Sequence, residues 1–195
     1  MESPRQVHLQ VVKRIMRYIK GTTTFGLFYS SSKKIEIVGY LDSDWGGDSD
    51  ERKSTSGSCF MIEKTIFLWS SKKQSIVALS TCETEYVAAT TSACQSVWLK
   101  NIMTQISFNL DVPIEIYVDN VSAINLEKNP VFHQRSKHID IRYHFLRDQV
   151  GKNMIKLEYC RSEYQIADIL TKQLKIDAFI KLRDLLSMKV VPNQN

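Results

Sequence analysis

The chain has 195 residues, a formal net charge of +5, 43% hydrophobic and 24% charged residues, and a pI near 9.0. That leaves room for one good core plus an appendage in an ordinary globular protein. It excludes a bilayer-spanning helix, since no apolar run approaches the roughly 20 residues required. The opening MESPRQVHLQ lacks the apolar centre of a signal peptide. Cys59, Cys82, Cys94 and Cys160 are scattered without a CxxC, which argues against a disulfide framework or a zinc ribbon and for a reducing compartment. The expected location is therefore intracellular, in the cytoplasm or else the nucleus. The basic balance is compatible with a polyanionic partner and does not establish one.

Residues 4–20, PRQVHLQVVKRIMRYIK, read as an amphipathic helix stopped by Gly21. Val7, Val11, Ile15, Tyr18 and Ile19 recur at helical spacing, and Lys13, Arg14, Arg17 and Lys20 take the other faces. The basic face reads as solvated surface, with a nucleic-acid-facing helix as the competing reading. Gly26–Tyr29 fits a short strand and Ser30–Lys34 a polar joint. Ile35–Asp42 then reads as a strand with Ile35, Ile37 and Leu41 on one side and Glu36, Val38, Tyr40 and Asp42 on the other. It runs into a polar loop, DSDWGGDSDERKSTSG, in which Gly46 and Gly47 allow a turn. Ser58–Ile62 and Thr65–Trp69, separated by Glu63–Lys64, are a hairpin signal, so three antiparallel strands are expected from 35 to 69. Ser70–Ser75 reads as a basic connection.

Ser80 with Glu83 makes a capping-box signature for a long helix that runs to about Ile106. Its alanine-rich middle suggests close packing on a sheet. Pro113 precedes IEIYVDN, a strand whose apolar end suggests a central, parallel position. Short helix Ser122–Glu127 is broken at Asn129-Pro130. Val131–Lys137 reads as a basic loop, and His138–Val150 as a helix with Ile141, Phe145 and Leu146 inward. Met154–Cys160 alternates as a strand, Glu163–Lys172 and Asp177–Met188 read as helices, and the tail KVVPNQN is expected to fray. The order βββαβαα-βαα implies an α/β sheet with carboxylates gathered at one edge.

Those carboxylates carry the chemistry. A carboxylate at the end of a buried strand costs free energy unless a cation, a donor or a metal meets it. Asp42, Asp44, Glu83, Glu85, Asp119 and Asp168 are the candidates. Oxygen ligands suit hard cations such as Mg2+, and two such ions can clamp the attacking and leaving oxygens of an in-line displacement at phosphorus. Glu83 and Glu85 cannot both serve, because two residues on a helix are about 200° apart. Glu83 is accounted for as the partner of the Ser80 cap, which leaves Glu85 for the site. Asp42 and Asp44 share strand parity, and spacing does not choose between them. His133, His138 and His144 are spaced wrongly for one helix face and lack paired cysteines, so hydrogen bonding is the simpler reading than zinc.

GYLDSDWGGD, RKSTSG, WSSKKQSIVALSTCETEYVA, IYVDNVSAI, NPVFHQRSKHIDIRYHFLRD and IADILTK resemble the ribonuclease H domain of copia-type LTR retrotransposon Pol polyproteins. The resemblance runs through nearly the whole chain. It implies a ribonuclease H-like α/β fold, a five-stranded mixed sheet (three antiparallel strands, then parallel ones) flanked by helices. It implies a site of Asp42, Glu85, Asp119 and Asp168, and it is the resemblance that selects Asp42 over Asp44. It implies two Mg2+ ions, with Mn2+ as a substitute, and hydrolysis of the RNA strand of an RNA–DNA hybrid. The implied partners are that hybrid and the reverse-transcriptase domain of the same polyprotein, with no membrane and no haem or nucleotide cofactor.

Residues 1–33 look like the tail of the reverse-transcriptase or connection region, 34–175 like the ribonuclease H domain, and 176–195 like a terminal helix and tail. No YxDD polymerase motif is present, and an initiator Met directly before that tail suggests a fragment of a Pol reading frame. Candidate contacts to nucleic acid are Trp45, Asn120, Lys72, Lys73, Arg135, Lys137 and Arg142. Trp45 and Trp69 have strand or core packing as the alternative role. Cellular relatives carry a histidine shortly before the last aspartate, and Cys160–Ile166 has none. Two other readings stand beside the nuclease: a silent binding module left from a retroelement, and an integrase- or resolvase-type phosphotransferase.

Overall fold

The expected hairpin widens into a five-stranded sheet in a computed structural model of the chain, which describes residues 4–31, 35–48, 50–108, 110–128 and 140–191. Strands β2 (Ile37–Ser43), β3 (Thr55–Ile62) and β4 (Thr65–Lys73) form an antiparallel meander. β5 (Ile114–Val118) pairs parallel with β2, and β6 (Ile155–Tyr159) parallel with β5, which gives the order β4-β3-β2-β5-β6. Such parallel neighbours need long crossovers. The first contains α2 (Thr81–Gln105), and the second contains α3 (Val121–Lys128) and α4 (Asp140–Gly151).

One face of the sheet packs against these helices. Leu41, Ile114, Ile116 and Val118 meet Tyr86, Ala89, Ala93, Tyr143 and Leu146 in the main core. Burying each large apolar side chain is worth about 1.5–3 kcal/mol. The small residues Ala88, Ala89, Ser92, Ala93 and Ser96 are all buried on α2 and let that helix lie close to the strands. The rings of Tyr86 and Tyr143 meet with centroids 4.4 Å apart. The other face carries two 3-10 turns, Ser162–Tyr164 and Ile166–Leu170, then α5 (Ile176–Leu185). There Cys59, Met61, Ile66, Ile166 and Leu186 form a second, smaller core.

Several sequence expectations change. Ser70–Lys73 is not a connection: it continues β4, with Ser70 opposite Ser58 and Lys72 opposite Ser56. Polar and lysine residues suit an edge strand, where they discourage pairing with other chains. The expected helix Glu163–Lys172 is two 3-10 turns, because Gln165 is extended between them and its side chain accepts from the Ala167 N–H. In α4, Ile141 is 86% exposed, and Tyr143, Leu146 and Gln149 face inward. The tail does not fray at Met188–Val190, which forms β7 against β1 (Phe25–Leu27) in a separate antiparallel pair. Thus two strands from far apart in the sequence meet. Helix α1 (Gln6–Gly21) forms as read, yet none of its residues is buried. The loop Val131–Lys137, with His133, Arg135 and Lys137, lies outside the described residues, as does His138 at the expected start of the next helix.

Candidate metal centre

Register brings the first two acids together. Tyr40 of β2 is level with Tyr117 of β5. Two residues further along each strand stand Asp42 and Asp119, side by side at the carboxyl ends of adjacent parallel strands. In open α/β sheets that is where ligands bind, at the point where strand order reverses. Asp42 is 2% exposed and Asp119 partly buried.

Glu85 reaches the same place from the first turns of α2. Ser80 caps that helix by accepting from the Glu83 N–H at 3.2 Å, and Glu83 Oε2 accepts from the Leu79 N–H at 2.9 Å. With Glu83 turned back to the cap, Glu85 points to the sheet, where its Oε1 accepts from the Ser43 N–H at 3.0 Å. It is 4% exposed, and its Oε2 is buried without a hydrogen-bond partner among the described residues. Carboxylate oxygens of Asp42, Glu85 and Asp119 lie within 4.8 Å of one another. Burial first, and then the neighbouring Asp42, pushes the Glu85 carboxyl up to about 9.

Asp168 does not join that trio of oxygens among the described residues. It sits nearby in the Ile166–Leu170 turn, with Lys172 as its partner at 2.9 Å. The same ammonium lies 3.5 Å from Asp42 Oδ1, and the Thr171 hydroxyl donates to Asp42 Oδ2. Burial pushes the Asp168 carboxyl up to about 6, although Lys172 pulls the other way. For Lys172 burial disfavours the ammonium, but Asp42 and Asp168 outweigh it and hold its pKa above the ordinary value.

Gly57 makes this approach possible. It lies opposite Asp42 on β3. A Cβ there would stand 2.6 Å from Thr171 Cγ2 and 3.1 Å from the Ala167 carbonyl oxygen. Two buried glutamines brace the centre. The Gln74 amide donates to Ser43 Oγ at 3.1 Å, Ser56 Oγ at 2.8 Å and the Thr84 carbonyl at 3.0 Å. The Gln165 amide donates to the Tyr117 carbonyl at 3.3 Å, and Ser162 Oγ donates to Asp119 Oδ2 at 2.8 Å. None of Lys172, Thr171, Gln74, Gln165 or Ser162 stands out from sequence. The nearest signal is IADILTK, whose lysine follows the aspartate by four residues.

Other expected residues separate into engaged and accessible. Asp44 accepts from the Thr55 N–H. Asn120 accepts from the Ala123 N–H at 3.2 Å and so caps α3. Lys73 pairs with Asp48, and with Glu51 at 3.7 Å. Lys72 and Arg142 line one cleft together with Ser56, Gln74 and Thr91. Trp45 and Trp69 are both exposed rather than packed in the core. His144 is exposed on α4. All four cysteines are free.

The donor set is all oxygen, clustered and partly unsatisfied, and it suits a hard divalent cation. No family model matches the chain. A five-stranded mixed sheet in this order, with helices on its faces, is the ribonuclease H-like fold. The RNase H domain of rv2228c from Mycobacterium tuberculosis superposes with a TM-score of 0.52 at 13% identity, covering 77% of this chain and 98% of that one. LC11-RNase H1, solved in complex with an RNA/DNA hybrid, gives 0.51 at 14% identity over 70% of this chain and 94% of its own.

Sequence places the chain more narrowly. It is 38% identical over 192 residues to the retrovirus-related Pol polyprotein from transposon RE1 of Arabidopsis thaliana, covering 98% of this chain. It is 38% identical over 188 residues to that from transposon TNT 1-94 of Nicotiana tabacum, covering 96%. Over nearly its whole length the chain is homologous to a segment of retrotransposon Pol polyproteins. It spans 13% and 14% of the length of those two relatives.

Proposed function

We propose that the chain is a metal-dependent endoribonuclease that cleaves the RNA strand of RNA–DNA hybrids during retrotransposon reverse transcription. The observation that carries this reading is the convergence of Asp42, Glu85 and Asp119 within 4.8 Å, beside Asp168, at the ends of parallel strands in a ribonuclease H-like fold. Glu85 Oε2 supports it further, since a buried carboxylate oxygen without a partner is costly unless a cation meets it.

Asp42, Glu85 and Asp119 would hold one Mg2+ ion, and Asp42 with Asp168 the second, with Mn2+ as a substitute. Divalent ions in such a site neutralise charge at phosphorus and activate water for in-line attack. The residues of the chain do the rest by positioning. Ser43 and Ser162 fix the orientation of Glu85 and Asp119, and Gln74 keeps β2, β3 and α2 in register. In the reaction, a water oxygen bonds to phosphorus, the bond from phosphorus to the 3′ oxygen breaks, and that oxygen leaves as a hydroxyl.

Lys72 and Arg142 would meet backbone phosphates and Trp45 a base or sugar. Lys73 would reach a phosphate only on leaving Asp48, and Asn120 acts first as a helix cap. Arg135 and Lys137 complete the set proposed from sequence. The reverse-transcriptase domain of the same polyprotein is the proposed protein partner, and the unburied apolar face of α1 supports it.

The test uses purified chain, end-labelled RNA–DNA hybrid, and RNA and DNA duplexes of the same sequence. With Mg2+ present, only the RNA of the hybrid is cut, leaving 5′-phosphate and 3′-hydroxyl ends. Tight hybrid binding without cleavage at any Mg2+ or Mn2+ concentration would instead establish the silent binding module.

A further inference from the structure

Lys172 is the one feature of the centre that a pure metal site would not need. Its ammonium stands 2.9 Å from Asp168 Oδ1 and 3.5 Å from Asp42 Oδ1. It therefore occupies the edge between these two acids, and Asp42 also has its other oxygen bound to the Thr171 hydroxyl. The opposite edge of Asp42, toward Glu85 and Asp119, holds no ammonium among the described residues; Glu85 Oε2 and Asp168 Oδ1 both lack a hydrogen bond, and Asp168 Oδ1 alone of the two has an ion pair, to Lys172. The two edges of the cluster are thus unequal. An ion between Asp42, Glu85 and Asp119 displaces no ammonium. An ion between Asp42 and Asp168 must take the place of an ammonium already making charge-assisted contacts.

We infer that Lys172 is a resident cation that competes with the second divalent ion. It makes the Asp42–Asp168 edge a weak site that fills only when the lysine swings away. The side chain can do so: it is 41% exposed, and a lysine carries its charge on a flexible four-carbon stem. The same ammonium holds the two acids together until an ion arrives, which limits their mutual repulsion. The site then loads in a fixed order, the trio first and the Asp168 edge second. This inference rests on the proposed metal centre and adds an order of filling to it.

Calorimetric titration with Mn2+ alone tests it on the full chain, as wild type, Lys172→Met and Lys172→Gln. Wild type should bind one ion, then a second more weakly by about ten- to a hundredfold, the worth of one charge-assisted hydrogen bond given up. Both variants should bind the second ion more tightly by the same factor, and Lys172→Arg should behave like wild type. In EDTA the neutral variants should melt below wild type, and Mn2+ should raise their midpoints by more. Equal stoichiometry and affinities in wild type and in either folded neutral variant would overturn the inference and leave the metal centre standing. Failure of every protein to bind Mn2+ would overturn the centre itself, and this inference with it.

Discussion

The centre at the ends of β2 and β5 and the helix α1 are opposites in construction. At the centre, residues up to 130 apart in sequence meet, as Lys172 and Asp42 do. Buried carboxylates there are held by named donors, and Glu85 Oε2 and Asp168 Oδ1 are left without a hydrogen bond. In α1, eight apolar or aromatic residues, among them Val7, Val11, Ile15 and Ile19, remain exposed, and none of the sixteen helical residues is buried. Burial of charge is costly and must be justified by function or by partners. Exposure of an apolar helix face is a surface still to be covered. The molecule therefore spends its structural precision on four acids and leaves a whole amphipathic helix unused within this chain.

The largest effect should come from cutting into the centre. Asp42→Asn removes the one carboxylate shared by both proposed ions, so Mg2+-dependent hybrid cleavage should fall to background while the far-ultraviolet circular dichroism stays native. Gly57→Ala comes next. Its methyl group would push against Thr171 and the Ala167 carbonyl, which should destabilise by about 1–3 kcal/mol as overpacking does. Thermal melts would register this, and a melt equal to wild type would show that the segment after Ala167 is not pressed to the sheet at Gly57.

pH should separate the two regions as well. The carboxyls of Glu85 and Asp168 stand at about 9 and about 6 in the folded chain, raised mainly by burial. A carboxyl raised on folding keeps a proton that the unfolded chain gives up, so its stabilisation is complete below the ordinary carboxylate range. That stabilisation is lost as pH rises through about 6 for Asp168 and about 9 for Glu85. In EDTA the melting midpoint should therefore fall from pH 5 to pH 9, and Mg2+ should flatten that fall. A midpoint independent of pH in EDTA would contradict the burial of these acids.

Smaller changes belong to the surfaces. Lys72→Ala should lower the salt dependence of hybrid binding by about one phosphate contact, read from affinities across a salt series. Smallest of all, Ile15→Glu on α1 should alter stability by no more than about 0.5 kcal/mol, as exposed positions do. A large loss would mean that the helix is packed against the body after all.

Much of this contrast was legible in the sequence, and the illegible part has a physical reason. Asp119 declared itself because an acid at the end of an apolar strand is expensive, whereas for Asp42 that argument left Asp44 equally open and the family resemblance chose between them. Glu85 emerged because a Ser80 cap accounts for Glu83, and α2 indeed turns the two in different directions. The five-stranded mixed sheet came through family resemblance, and its order β4-β3-β2-β5-β6 only from the structure, because periodicity carries no pairing information. Lys172 was hidden, since a lysine four residues after an aspartate looks like any solvated pair. The close approach of Ala167–Thr171 to the sheet at Gly57 brings that lysine to the acids. Gln165 was hidden for a similar reason: a lone glutamine within an expected helix gives no hint that its side chain ends that helix. The periodicity of α1 was plain, but periodicity reports an apolar face and not what covers it.

In the proposed function these acids form a metal centre that cuts RNA in hybrids. Its most direct test is cleavage of a labelled RNA–DNA hybrid in Mg2+ by wild type and Asp119→Asn, side by side, with both proteins shown to be folded. Wild type should cleave the RNA, and the variant should give none above background. Equal cleavage by the two would contradict that function.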